Sequence, residues 1–159
     1  MKHTHTHIYE HHIDNIYNSC VNKGFIETKM AALGARHIEV TLEEKTDCVT
    51  IEINREIPID VPGMFKSIIK PWSKLIQKEV WKGVRGGPYY CQISIEVQNA
   101  PLDIRGTMKL MAHEGGTAVV SITEVNCTLP FIGKALSNFI GETSKKAIEQ
   151  EFAYIDEYV

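Results

Sequence analysis

Residues 128–159 read TLPFIGKALSNFIGETSKKAIEQEFAYIDEYV, and this stretch decides the fold. Pro130 suits the first turn of a helix, where its missing N–H has no partner to lose. From there Ile132, Leu136, Phe139, Ile140, Thr143, Ala147, Ile148, Tyr154, Ile155 and Tyr158 fall on one broad side of a helical wheel. Lys134, Asn138, Glu142, Lys145, Glu149 and Asp156 fall on the other. Three- and four-residue recurrence of apolar side chains marks an amphipathic helix. At 1.5 Å per residue the predicted helix of about 25 residues runs roughly 38 Å. A helix of that length needs a sheet to lie across.

The preceding chain supplies one. Residues 118–129, 102–111 and 89–97 alternate apolar and polar side chains with the period of two that marks strands. Turn residues separate them, at 99–101 and at Glu114–Gly116. Residues 73–81 read as another strand, linked to 89–97 through the glycine- and proline-containing segment 83–88. Upstream, Ile38, Val40 and Leu42 oppose His37, Glu39, Thr41 and Glu43, and Val49, Ile51, Ile53 and Ile57 oppose Thr50, Glu52, Asn54 and Glu56. This pair is a hairpin with one wet and one dry face. Between it and residue 73, residues 64–70 are expected to make one or two helical turns, stopped by Pro71.

Residues 2–9 alternate as a first strand. Ile13, Ile16, Tyr17 and Cys20 predict a helix over 10–21, and a second over 25–33 ends at Gly34, where positive φ suits a helix stop. The expected order is one strand, two short helices, two strands, a short helical segment, four strands and a long helix. Consecutive strands joined by short turns form an antiparallel meander, which twists and curls. A curled sheet cannot touch a straight helix along its whole length, so a gap is expected between them, and such gaps hold ligands.

Composition fits one domain over 1–159. Hydrophobic residues make up 43% and charged residues 23%, ordinary values for a globular chain. A net charge of -3 argues against nucleic acid as a partner. Cys20, Cys48, Cys91 and Cys127 are scattered, with no C-x-x-C, and read as reduced thiols. The start of the chain, MKHTHTH, carries no apolar signal region, and no run of 18 apolar residues occurs. The expectation is a cytoplasmic protein without stable membrane insertion.

The element order, with the stretches Leu33–Ala35, Arg55–Pro58, Val61–Gly63, Glu79–Trp81, Ala100–Pro101 with Gly106, and Leu129–Gly133, resembles the START/polyketide cyclase-like superfamily, nearest to a subfamily of uncharacterised function. The resemblance spans nearly the whole chain. It implies an α+β helix-grip fold: a curved seven-stranded antiparallel sheet wrapped around the long C-terminal helix, with two short helices between strands one and two. It also implies a pocket for a small hydrophobic or amphipathic molecule. It implies no single reaction, because one fold hosts carriers and cyclases alike.

Candidate site residues follow from which side chains point inward. Arg55 shares parity with Val49, Ile51 and Ile53, and Glu79 with Leu75, Gln77 and Trp81. On neighbouring strands Arg55 and Glu79 are expected to pair. Glu151 interrupts the helix's apolar arc. Buried charges are paired, wet or functional, so these three are read as a polar patch that orients a ligand head group or, alternatively, as a salt bridge at the end of a cavity. The expected wall comprises Trp81, Tyr89, Ile93, Ile104, Gly106, Met108, Ser121 and Thr123 from the strands and Leu136, Phe139, Ile140 and Thr143 from the helix.

His3, His5 and His7 lie roughly 6–7 Å apart on one strand face. Parity with Ile8 as a core residue would turn them outward, so a metal site is not expected. Nucleotide-binding glycine motifs, G-x-S-x-G and H-E-x-x-H are absent, and no cofactor is expected. The function favoured is binding or carriage of a lipid-like or aromatic molecule. The alternatives are a cyclase- or hydratase-type enzyme using the same cavity and a module that binds another protein.

Overall fold

Tyr9 sets the facing of the first strand. In the computed structural model, which describes residues 1–159, β1 spans Lys2–Tyr9, and Tyr9 is 1% exposed while Ile8 is 50% exposed. The bulkier Tyr9 takes the core position, and parity then carries His3, His5 and His7 inward. This reverses the facing expected from Ile8.

Helices α1 (Ile13–Cys20) and α2 (Lys23–Ala32) follow, each with a side-chain cap. The His12 imidazole accepts from the Asp14 N–H at 3.2 Å, and Asn22 Oδ1 accepts from the Phe25 N–H at 2.8 Å. These caps satisfy backbone donors that a helix start leaves open, and α1 therefore begins at Ile13 rather than at residue 10.

Strands β2 (Arg36–Glu44) and β3 (Val49–Pro58) form the expected hairpin. The segment after Pro58 holds only a 3₁₀ turn at Gly63–Phe65. Four long strands follow: β4 (Trp72–Gly83), β5 (Tyr89–Val97), β6 (Leu102–His113) and β7 (Gly116–Cys127). All pairings are antiparallel, and the sheet order is β1-β7-β6-β5-β4-β3-β2.

Helix α3 spans Gly133–Tyr158, 26 residues. It starts three residues later than Pro130 suggested, because Phe131 adopts a left-handed φ of 65° and separates the proline from the helix. Its buried face includes Leu136, Ile140, Phe152 and Ile155. Ala147 and Tyr158, expected on that face, are exposed. No helix is long and apolar enough to cross a membrane.

The apolar interior is divided. One cluster, including Tyr9, Ile16, Ile53, Trp81, Leu110 and Phe152, joins α1, α2 and the far end of α3 to the sheet. The other, including Phe65, Leu75, Val97, Val125, Leu136 and Ile140, joins the 3₁₀ segment and the start of α3 to it.

Candidate functional site: the gap between sheet and helix

A cavity of about 340 Å³ lies between the sheet and α3, and 14 of its 26 lining residues are hydrophobic, so its walls suit an apolar body. Its floor draws on consecutive strands, including Leu75 from β4, Ile93 and Ile95 from β5, Ile104 and Met108 from β6, and Ser121 and Thr123 from β7. Thr143, Ile148 and Glu151 belong to its α3 wall, with Met30, Leu33 and Ala35 on the α2 side. Lys146, Ala147 and Gln150 of α3 also line it and are exposed, so the cavity opens to solvent along that side of the helix. Gly106 keeps the floor low: a Cβ there would meet the Ile122 carbonyl oxygen at 3.1 Å. A second, wider groove of about 540 Å³ lies outside this gap, bordered by His12, Asp14, Asn15 and Arg85. It is polar and open, and offers an apolar molecule little shelter.

Of the residues expected at the site, Arg55, Ile93, Ile104, Gly106, Met108, Ser121, Thr123, Ile140, Thr143 and Glu151 line this cavity. Glu79, Trp81, Tyr89, Leu136 and Phe139 do not line it; Glu79 sits behind Gln77. Trp81, 2% exposed, and Tyr89, 3% exposed, belong to the first core cluster. Tyr89 stacks on Tyr17 at 3.8 Å and donates its hydroxyl hydrogen to Asp14 Oδ1 at 2.6 Å. Leu136 is fully buried in the second cluster, and Phe139 stacks on Phe65 at 5.6 Å. These two precede Ile140, from which α3 begins to line the cavity.

The polar end of the cavity is a chain of contacts. Arg55 is opposite Leu75 in the β3–β4 register, while Glu79 is opposite Ile51. That four-residue offset prevents the direct pairing expected from sequence. Gln77 spans the offset: Arg55 Nη2 donates to Gln77 Oε1 at 3.0 Å, and Gln77 Nε2 donates to Glu79 Oε2 at 2.5 Å. Trp81 Nε1 donates to the other Glu79 oxygen at 2.9 Å. Glu151 pairs instead with Lys29 Nζ at 3.6 Å.

Burial dominates the electrostatics of this patch. It raises the Glu79 carboxyl above the usual carboxylate range, against the opposing hydrogen bond from Trp81 and the charge of Lys29. It pushes the nearby Cys20 thiol up to about 12 and lowers the Arg55 guanidinium. Burial also works against the Lys29 ammonium, but the summed attraction led by Glu151 leaves it above its ordinary value.

Lys29 and the bridging role of Gln77 escaped the sequence reading. A signal for Lys29 exists: it stands at i+3 from Ile26 and i−4 from Leu33, within the apolar face of α2.

The family described as "Protein of unknown function (DUF2505)" matches residues 4–159. The chain belongs to that family. No protein of curated function matches it. Among solved structures, the DUF2505 chain is similar to the protein TTHA0849 from Thermus thermophilus, with a TM-score of 0.69 at 11% identity over 99% of this chain and 95% of that one. A START superfamily protein from Mycobacterium smegmatis aligns with a TM-score of 0.66 at 8% identity over 99% of both chains. Norcoclaurine synthase from Thalictrum flavum aligns with a TM-score of 0.62 at 11% identity over 100% of this chain and 87% of that one. At such identities the likeness shows the fold. It is the START-like helix-grip fold, as the order of elements implied.

Proposed function

We propose that this DUF2505 protein binds or carries a small hydrophobic or amphipathic molecule in the cavity between the sheet and α3. The observation that supports this most is the division of the core: two apolar clusters flank an apolar-walled opening of about 340 Å³, within the range of small-molecule sites. Leaving such a volume unfilled forfeits packing energy, which an apolar ligand restores. Arg55, with Glu79 behind Gln77, holds the polar end.

A cyclase- or hydratase-type enzyme in the same cavity is the second reading. It draws on Glu79, a buried carboxyl raised above the usual carboxylate range by burial, as the candidate acid. Both nearby carboxylates are engaged, Glu79 by Trp81 and Gln77 and Glu151 by Lys29, and this favours the binder.

Native mass spectrometry of the purified full chain, followed by organic extraction, tests the first reading. A stoichiometric apolar or amphipathic adduct supports it. A protein that carries nothing and takes up neither decanoate nor 1-decanol overturns it.

A further inference from the structure

We infer that the molecule held in the cavity is a monoanionic amphipath whose carboxylate seats on Arg55. This rests on the cavity being a binding site and adds the charge and chemical class of the ligand. Arg55 is 9% exposed and lines the cavity. Its Nη2 is used by Gln77, but its Nη1 is buried and has no hydrogen-bond partner. A guanidinium cannot shed its charge in a protein, and a buried charge without an anion is costly.

None of the neighbouring groups answers that charge by contact. The Arg55 neighbour is a neutral amide, Gln77. Glu79 accepts from Gln77 and Trp81, and Glu151 pairs with Lys29. The patch contains two cations, Lys29 and Arg55, and two carboxylates, Glu151 and Glu79, but of these charges only Lys29 and Glu151 are in contact with each other. Glu79 and Glu151 act on Arg55 only at a distance, and neither makes an ion pair with it. A ligand carboxylate offers two acceptor oxygens to the guanidinium fork. From Arg55 on β3, the apolar floor at Ile93 and Met108 lies two and three strands away, roughly 10–14 Å at the usual strand spacing. That places an acidic head at one end and an apolar body across the floor. A cationic head would meet like charge, and a neutral one would leave Arg55 without an anion in contact.

The test is isothermal titration calorimetry of the full chain with decanoate, methyl decanoate and 1-decanol, on the wild type and on Arg55→Met and Arg55→Lys. A hydrogen bond to a charged group should make decanoate bind about 10- to 100-fold tighter than decanol or the ester. Arg55→Met should abolish that preference, with decanoate binding no tighter than decanol to the same variant, while Arg55→Lys keeps part of the preference. The wild-type comparison needs no variant and stands even where Arg55→Met fails to fold. Equal binding of acid, ester and alcohol, or a preference that survives in Arg55→Met, overturns the anionic head group and leaves the cavity reading intact. Binding of none of the three overturns both.

Discussion

Replacing Ser121 by leucine should fill part of the cavity while leaving the sheet in place. Ser121 is 3% exposed, lines the cavity in mid-β7, and is paired in register with Met108 of β6 and His5 of β1. Leucine puts three carbons where one hydroxyl stood. At about 0.8 kcal/mol per buried carbon they gain about 2 kcal/mol if they enter open volume. Forcing them into a filled core would instead cost about 1–3 kcal/mol. The two possibilities differ in sign, which makes the position informative. Gly106 is a poorer choice, because any side chain there presses on the Ile122 carbonyl oxygen at 3.1 Å. Urea denaturation should give a higher midpoint with an unchanged slope, the signature of altered stability alone. Calorimetry should show decanoate affinity falling by at least about tenfold, equal to about 1.4 kcal/mol, since the side chain occupies the ligand's volume. A destabilised variant, or a stable one that binds decanoate as tightly as the wild type, would refute the reasoning.

Leu136→Ala should lose about 2–5 kcal/mol in denaturant titrations, as for a fully buried leucine, yet leave decanoate affinity unchanged if the variant folds, because Leu136 does not line the cavity. His3 is 8% exposed with both ring nitrogens unpartnered, and burial, then the charges of His5 and Lys145, lowers its pKa. Its folded state therefore binds protons less readily than the unfolded chain. The associated stability is complete above pH ~6.5 and is lost as pH falls below that value. His3→Val should raise the melting temperature by about 2–4 °C, corresponding to about 1 kcal/mol, and reduce the loss of stability below pH ~6.5, both read by thermal scans across pH. Glu79 has the opposite dependence. Its raised carboxyl lets the folded state hold a proton above the ordinary value of 4.5, so stability declines as pH rises through the folded pKa. Glu79→Gln removes that titration but keeps only one of the two acceptor oxygens that Gln77 and Trp81 use, so the comparison is of pH dependence: wild-type stability relative to the variant should fall between acidic and neutral pH, and parallel curves would show that the carboxyl is not perturbed.

Much of the fold could be read from residue spacing, because hydrophobic parity on β3–β7 follows a single rule of alternation. The same rule failed on β1, where Ile8 and Tyr9 compete for the core and only three-dimensional packing, with Phe152 against Tyr9 at 6.1 Å, decides. The start of α3 was misplaced because proline is compatible with a helix start and nothing in the sequence signals the left-handed Phe131. At the site, parity brought Arg55 and Glu79 to the correct face but could not supply the register. A four-residue offset turned the expected ion pair into a relay through Gln77. A helical wheel gives the side of a helix that faces the sheet but not the position along it where the cavity starts, so it cannot separate Leu136 and Phe139 from Ile140 and Thr143.

Entry of a small apolar molecule between the sheet and α3 can be observed on the residues that line the cavity. The most direct measurement is methyl NMR of the full chain during titration with decanoate and, separately, 1-decanol. Saturable shifts should concentrate on Ile93, Ile104, Met108 and Ile140, which line the cavity, with the exposed Val84 unmoved. Shifts confined to surface methyls such as Val84 and Ile8, or no saturable shift with either compound, would contradict it.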